Sequence, residues 1–371
     1  MGVQSPSRRS LTRWLTIAAA TAVAIALALV SCALVSDSDG GSGANPVPSA
    51  PTRTANGCTV SELLVPSCGA WFGAAANPLG EESWDKALLA FEEAMGRRVD
   101  IAHYYNSSPE LFPTEDMIIR ARQSGKKRLL LLNWKPEMGR TWAQVAKGDP
   151  EVDAAIDAEA NYLKTTFPEK FFLAIHHEPE DEIKPATGSG YTAKDYRAMY
   201  RHVALRLKSK GVTNAVFVMN YMGTPHWGSQ PWFEDLYPGD DVVDWIAEDP
   251  YIFGEDPEWA GGGVGGALNR TQKAYPKWPG FYTWATSRHP GKPIMLAEWG
   301  IDRKLGEQMR KAAFGTMPSQ LATYPQVKAL VYWNETEFDP VGATELRAGD
   351  EAVGVLVKAL RSSRLKPPPV P

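Results

Sequence analysis

Eight short apolar stretches recur along the chain. They cover residues 70–73, 99–105, 129–134, 171–175, 215–219, 242–247, 293–297 and 327–333. Each stretch is too short for a typical helix, and its apolar residues are largely continuous rather than alternating with polar ones. Runs of this kind are typical of strands that are buried on both faces of a parallel sheet. The pattern therefore predicts eight buried strands.

Amphipathic stretches with helical spacing lie between these runs. The clearest covers residues 192–210, where Thr192 and Asp195 resemble a capping box and Gly211 is placed to end the helix. Its apolar face consists of Tyr196, Met199, Tyr200, Val203 and Leu207. Further helices are predicted at residues 83–95, 114–124, 150–166 and 306–314.

The alternation of strands and helices predicts parallel βαβ units and places the chain in the α/β class. Eight such strands in about 300 residues favour a (β/α)8 TIM barrel. The alternative is an open doubly wound sheet. A dinucleotide-binding form of that fold is disfavoured, because no G-x-G-x-x-G follows a strand and the glycine run at 261–266 opens no obvious helix.

The first 56 residues lack the pattern of a folded domain. Residues 1–32 combine three arginines, an apolar run and a small residue before Cys32, which is the layout of an export signal with a lipobox. Residues 33–56, rich in Ser, Gly and Pro, are predicted to form a flexible tether. We expect an exported lipoprotein with lipidated Cys32, anchored in the cell membrane and facing outward. The alternatives are a plain secretory signal or a single anchor helix.

The catalytic domain is predicted to cover residues 57–365, followed by a proline-rich tail at 366–371. Cys58 and Cys68 are the two remaining cysteines, and in an exported protein they are expected to form a disulfide rather than two free thiols. The disulfide would contribute about 3 kcal/mol to stability by the chain-entropy model. The net charge of −4 gives no reason to expect a nucleic-acid partner.

Polar and aromatic residues follow the predicted strands. They are Asn77; His103, Tyr104 and Tyr105; Asn133, Trp134 and Lys135; His176, His177 and Glu178; Asn220 and Tyr221; Glu248, Asp249 and Tyr251; Glu298 and Trp299; and Trp333, Asn334 and Glu335. In a TIM barrel these positions meet at one rim, where the active site lies. Aromatic rings stack on sugars while amides and acids bond their hydroxyls. The alternative is that the aromatic residues belong to the core and expose only a polar tip.

Glu178 and Glu298 form the best candidate pair for chemistry, since each follows an apolar strand. Two carboxylates across a barrel mouth suit glycosidic cleavage, in which one protonates the leaving oxygen and the other attacks the anomeric carbon. Retaining enzymes hold the two groups about 5–5.5 Å apart and inverting enzymes about 6.5–9.5 Å apart. The acid needs a raised pKa and the nucleophile a normal or lowered one.

The surrounding motifs resemble glycoside hydrolase family 26, a clan A family of retaining barrels. The resemblance is carried by His177-Glu178 after strand 4, by YPGDDVVDW at 237–245 with Asp249-Pro250-Tyr251, and by KPIMLAEWG ending at Gly300. It runs from about residue 66 to residue 334.

The resemblance implies that Glu178 is the acid/base and Glu298 the nucleophile. His177 would contact the sugar or the acid/base, Tyr251 would donate a hydrogen bond to the nucleophile, and Trp333 would floor the subsite of the cleaved sugar. Trp134, Asn220 and His103 complete the expected set of substrate-binding residues. No cofactor is expected, and a monomer acting on polysaccharide is predicted.

Two positions depart from the family's pattern. Trp134-Lys135 stands where mannanases of the family usually have Trp-His, and Pro179-Glu180 follows the acid/base in place of Met-Asn. The expected sugar is therefore left open among β-mannan, β-glucan and β-xylan. Lys135 would bind an anionic sugar or form an ion pair with Glu180 or Asp181, and the ion pair is the favoured hypothesis.

Two alternatives from other functional classes remain. The first is a surface lipoprotein that binds glycans without cleaving them. The second is a zinc hydrolase, which would need three or four converging ligands. Because His176 and His177 are adjacent, a regular strand points them apart, and His103 is the further histidine that could come near. On the same alternation, His177 and Glu178 reach the mouth together only if the strand end is twisted or bulged.

Overall fold

The computed structural model describes residues 57–125, 127–254, 262–336 and 343–371. The predicted export signal, Cys32 and the tether therefore lie outside the described residues. None of the helices within these ranges combines the length and apolar character that crossing a bilayer requires.

The predicted (β/α)8 barrel is confirmed. Its strands are β1 (Trp71–Ala76), β2 (Ile101–Ser107), β3 (Leu129–Lys135), β4 (Phe171–Ile175), β5 (Ala215–Tyr221), β6 (Trp245–Glu248), β7 (Ile294–Ile301) and β8 (Val327–Asn334). All neighbouring strands are parallel, and the pairings of β1 with β8 and of β6 with β7 close the barrel. A further two-residue strand, Tyr251–Ile252, pairs with the end of β7.

The helices surround this barrel. They are α1 (Trp84–Met95), α2 (Glu115–Arg122), α3 (Trp142–Ala146), α4 (Pro150–Thr166), α5 (Ala193–Ser209), α6 (Pro225–Gly228), α7 (Gly263–Leu268), α8 (Phe281–Arg288), α9 (Gly306–Ala322) and α10 (Glu351–Ala359). The capping box of α5 is present, because the Asp195 amide donates to Thr192 Oγ1 at 3.1 Å and the Thr192 amide to Asp195 Oδ2 at 2.9 Å.

Strand alternation divides the apolar residues into two layers. One set points into the barrel and forms an inner core that includes Trp71, Leu131, Val218 and Met295. The other set points outward and packs with the helices in a larger outer core. A residue's parity on its strand therefore decides whether its side chain can reach the barrel mouth.

The N-terminal end of the barrel is closed by the segment that the disulfide holds. The predicted Cys58–Cys68 bond is present. Within this loop, the carbonyls of Leu63 and Leu64 accept hydrogen bonds from the indole N–H groups of Trp245 (2.7 Å) and Trp71 (2.8 Å), each the first residue of a strand. The loop thus lies on the floor of the barrel, opposite the face where active sites of this fold are found.

Three details differ from the sequence predictions. The sequence predicts a separate tail at residues 366–371, but Val370 packs against the inner core and Gly69 closely approaches the Lys366 backbone. The last predicted helix continues through Pro318 to Ala322. The glycine run does open a helix, α7. Each segment is held by tertiary contacts, which override its weak local propensity.

Candidate active site

A β-bulge aims Glu298 into the barrel mouth. Leu296 pairs with Leu330 and Trp299 with Tyr332, so Ala297 and Glu298 together lie opposite the single residue Val331. In regular alternation Glu298 would point outward, because Ala297 belongs to the inner core. The extra residue resets the parity and turns both side chains inward.

A different device turns the end of β4. His176 and Glu178 both have left-handed backbone conformations, with φ of +48° and +51°. The Glu178 amide donates to Asn220 O on β5 at 3.0 Å, which fixes the turn. Such conformations cost non-glycine residues about 1–3 kcal/mol and persist where the surroundings over-determine them. The end of β4 thus has the kind of irregularity that bringing His177 and Glu178 to the mouth together requires, and the turn separates His176 from that pair.

Three carboxylates converge at the mouth. Glu178, Asp249 and Glu298 each offer an oxygen, and these oxygens all lie within 4.8 Å of one another. Asp249 follows β6, hydrogen-bonds to Glu178, and accepts a hydrogen bond of 2.7 Å from Asn220 Nδ2. Asp249 appeared in the sequence only as one strand-end residue among many. The spacing of Glu178 and Glu298 is closer to the retaining than to the inverting geometry.

Two tyrosines hold Glu298. Tyr251 donates its hydroxyl to Oε2 at 2.8 Å, which is the contact that the family resemblance implies. Tyr105 on β2 donates to Oε1 at 2.7 Å, and the sequence places it only among the strand-end residues, without a contact to Glu298. Each oxygen thus has a donor while keeping a lone pair. Two neutral donors stabilise the ionised form of the carboxyl group.

The surroundings of the three acids determine the order in which they lose their protons. Burial raises the pKa of Glu298, but the two tyrosine hydrogen bonds limit the rise to about 7. The expectation of a normal or lowered pKa for the nucleophile is therefore wrong, because burial outweighs the two donors. Burial and then the charge of Glu298 raise the pKa of Glu178 and of Asp249 well above their ordinary values. Glu298 therefore ionises first, and its negative charge favours retention of the protons on its neighbours.

The two histidines nearest the acids are neutral. His177 lies with Nε2 at 3.9 Å from Glu298 Oε1, and burial lowers its pKa well below the ordinary value. Burial likewise lowers the pKa of His103 to about 3. His103 Nδ1 lies 3.3 Å from the Tyr105 hydroxyl, beneath the carboxylates. A neutral His177 can bond a sugar hydroxyl without neutralising the nucleophile.

The predicted substrate contacts divide into two groups. Trp333 packs with Tyr105 and Tyr251, and its ring meets that of Tyr105 edge-on at a centroid distance of 5.5 Å, so it lies beside the carboxylates. Trp134 instead has the outward parity of β3. It is 1% exposed, packs on Phe112 and donates its N–H to Ser108 Oγ, which gives it a packing role in place of the predicted sugar contact.

Asn220 is also fully buried, and its side-chain amide donates a hydrogen bond to Asp249 in place of the predicted contact with a sugar.

A charged cluster lies behind the end of β4. His176 is placed between Glu137 and Glu182, and Glu182 also pairs with Lys135 at 2.9 Å. Burial alone would lower the pKa of His176, but the two carboxylates hold it at about 9. Lys135 therefore forms the expected ion pair, although its partner is Glu182 rather than Glu180 or Asp181. Glu180 is buried, and its Oε1 accepts a hydrogen bond from the Gly223 amide.

The zinc alternative depends on which side chains converge. Within the described ranges, the group with the geometry to hold a cation is the carboxylate triad alone, without histidine or cysteine. Catalytic zinc is usually bound by nitrogen or sulfur ligands together with carboxylate. Carboxylates that lie close together and accept hydrogen bonds from hydroxyl groups are typical of acid/base and nucleophilic catalysis.

Comparisons with known proteins agree with this fold. No protein-family model matches the chain. Endoglucanase H of Acetivibrio thermocellus is 23% identical over 273 residues, which are 72% of this chain and 28% of that protein. The chain thus spans less than a third of that relative's length.

Solved structures share the barrel with this chain, and two of them illustrate the likeness. The GH26 β-mannanase of Bacteroides ovatus aligns with a TM-score of 0.56 at 20% identity, covering 80% of this chain and 90% of that one. The catalytic domain of the GH26 endo-β-1,4-mannanase of Bacillus sp. JAMB-750 aligns with a TM-score of 0.54 at 16% identity, covering 80% and 86%. At these identities the likeness shows the fold.

Proposed function

We propose that this chain is a retaining glycoside hydrolase of the family 26 type that cleaves a β-linked polysaccharide of the mannan, glucan or xylan kind. The observation that carries the proposal is the pairing of Glu298, held by two tyrosines, with the proton-retaining Glu178 at close range. Glu298 ionises with a pKa of about 7 while Glu178 keeps its proton to higher pH, so above that value the pocket holds one carboxylate and one carboxylic acid.

In the first step, an oxygen of ionised Glu298 attacks the anomeric carbon. The bond from that carbon to the glycosidic oxygen breaks, and Glu178 gives its proton to the leaving oxygen. The products are a free chain end and a glycosyl ester on Glu298. Since both tyrosine hydroxyls contact the oxygens of Glu298, they orient the attack and adjust to the loss of charge on the carboxylate.

In the second step, Glu178 acts as a base. It takes a proton from water, the resulting hydroxyl adds to the anomeric carbon, and the ester bond to Glu298 breaks. Both residues return to their starting protonation states, and the sugar keeps its configuration. Asp249 shares a hydrogen bond with Glu178, so it helps to hold the acid in place during both steps.

The names of the structural relatives support the same reaction class. Two of them are β-mannanases, and the curated relative is an endoglucanase. Family 26 membership and the choice among mannan, glucan and xylan are part of the proposal. The ion pair of Lys135 with Glu182 supports the use of that lysine in structure rather than in binding an anionic sugar.

We also propose that the protein is exported and that lipidated Cys32 anchors it to the membrane, with the catalytic domain facing outward. We propose that it acts as a monomer. The support comes from the lipobox pattern of residues 1–32 and from the Cys58–Cys68 disulfide, a bond typical of oxidising compartments. A polysaccharide-cleaving enzyme tethered to the cell surface would meet substrates that cannot enter the cell.

The test is a polysaccharide panel with matched variants. Wild type, Glu298→Ala and Glu178→Ala are incubated with β-mannan, mixed-linkage β-glucan and β-1,3-xylan, and reducing ends are measured. We expect release by the wild type with one polymer class, and loss in both variants with an unchanged circular dichroism spectrum. The configuration of the first product, read by NMR, should be retained.

Two results would contradict the proposal. A folded wild type that binds a glycan but releases no reducing ends would favour the non-catalytic binding protein. Stoichiometric zinc in the purified protein, with activity lost on chelation, would favour a metal hydrolase.

A further inference from the structure

Four ring side chains form a surface cluster beyond the end of β5, which we name the β5 patch. It consists of His226 and Trp227 on α6, Trp232 in the next loop, and Tyr275 from the segment between β6 and β7. His226 is exposed, and the other three are half-buried. Large aromatic side chains that stay partly exposed together indicate a binding surface.

The rings lie close to one another and in several orientations. The Trp227 and Trp232 centroids are 6.0 Å apart with an interplanar angle of 42°. His226 contacts Trp227 at 4.6 Å and Tyr275 at 5.7 Å. Trp232 and Tyr275 pack partly against the outer core, whereas the ring contacts of Trp227 are with His226 and Trp232 at the surface.

The backbone that carries the patch is fixed by buried contacts. The Gly223 amide donates to the buried Glu180 at 3.2 Å, and Trp278 packs so closely on Gly228 that a Cβ there would lie 2.4 Å from the ring. His226 Nδ1 lies 2.8 Å from the Tyr275 hydroxyl, which joins the two segments. A surface with this rigidity loses little entropy when a ligand binds.

The patch lies on the same face of the barrel as the carboxylates. Asn220, near the end of β5, supports Asp249 directly, and Trp227 follows it by seven residues through one short helix. The chain that follows β5 thus places the patch on the side of the mouth where Asn220 contacts Asp249, and a polymer that extends from the carboxylates over this side would run toward it.

We propose that the β5 patch is a distal carbohydrate-binding surface, on which the rings stack against sugar residues of the same polysaccharide chain that the active site holds. This deepens the proposed function and rests on it for the identity of the polymer. The rings carry N–H, O–H and imidazole groups beside their apolar faces, which suits an occupant with apolar ring faces and hydroxyls. The proposal also implies that the protein acts on long chains within their length.

The test measures binding separately from cleavage. In the Glu298→Ala background, the full chain is run in native gels containing β-mannan, mixed-linkage β-glucan or β-1,3-xylan, and retardation gives the apparent affinity. The test variant adds Trp227→Ala, whose ring contacts are at the surface, and a second adds Trp232→Ala. The matched control adds Leu89→Ala, since Leu89 is 40% exposed on α1, across the barrel from β5.

We expect one polymer to retard the parent protein and each tryptophan substitution to weaken that affinity about tenfold, a loss within the range found when a ring stacked on a nucleic-acid base is removed. Leu89→Ala should bind like the parent. A trisaccharide of the same polymer, titrated by calorimetry, should bind all four proteins alike. Circular dichroism confirms that the variants are folded.

Two results would overturn the inference: equal retardation of the parent and both tryptophan variants, or no retardation of the parent by any polymer. Failure of the proposed function is a distinct outcome. If the wild type cleaves nothing while the tryptophan variants still lose binding, the surface remains as inferred and the catalytic proposal fails.

Discussion

Replacing Tyr105 with phenylalanine removes one of the two hydroxyls that hold Glu298 and leaves the ring in place. The lost contact is a 2.7 Å hydrogen bond to a carboxylate, and bonds to charged groups contribute about 1.5–3 kcal/mol. At 1.36 kcal/mol per pKa unit, the pKa of Glu298 should rise by about 1–2 units. The starting value is about 7, so the variant's nucleophile is largely protonated at neutral pH.

The sign of the effect follows from the mechanism. Glu298 must be ionised to attack, so kcat/KM falls as the pH drops below the pKa of Glu298. Without the donor the ionised form is less stable, and this acidic limb should move to higher pH by about 1–2 units. The assay is the pH profile of kcat/KM on the polymer identified by the panel, measured from pH 4 to about pH 9.

Tyr104→Phe provides the matched control, because it makes the same chemical change one residue earlier on β2. Tyr104 has the outward parity and stacks on Trp84 in the outer core, so its substitution should leave the limb where it is. The reasoning is refuted if Tyr105→Phe lowers activity without moving the limb. In that case the hydroxyl would act in some way other than stabilising the charge of Glu298.

Two further predictions concern stability. Removing the disulfide with the double substitution Cys58→Ser and Cys68→Ser should lower the free energy of unfolding by about 3 kcal/mol, because the bond closes the loop on the barrel floor. Urea unfolding measures this change, and an unchanged unfolding midpoint would contradict the prediction. Glu159 is buried on α4, and burial raises its pKa to about 8. Its contribution to stability is therefore complete below the unfolded pKa of about 4.3, and it is lost as the pH rises from there through 8. Glu159→Gln should therefore weaken the decline in melting temperature between pH 5 and about pH 9, and parallel declines in both proteins would show that another group is responsible.

The strained end of β4 and the bulge in β7 both direct side chains into the barrel mouth. Each departs from regular strand geometry at the residue that carries a candidate catalytic carboxylate, Glu178 or Glu298. Regular alternation would have sent one of these side chains toward the helices. The barrel's rigid hydrogen-bonded neighbours maintain both irregularities, which is typical of functional sites on strong scaffolds.

The sequence by itself determined the architecture and the rim on which the chemistry lies. Continuous apolar runs, helical stripes and capping residues such as Thr192 are local features, and their order along the chain suffices to predict parallel βαβ units. Because parallel strands end on one face, Glu178, Asp249 and Glu298 could be assigned to the same rim before any distance was known.

Only the tertiary structure decided which of these rim residues face the mouth and in what state of charge. Trp134 is buried because of its parity, Glu298 points inward because of a register shift against β8, and Tyr105 reaches it from a strand nearly 200 residues earlier in the chain. Glu180 is buried, and its carboxylate accepts a hydrogen bond from the amide of Gly223, which follows β5 more than 40 residues later in the chain. Pairing register, burial and pKa are sums over contacts between distant segments, and no local pattern of residues contains them.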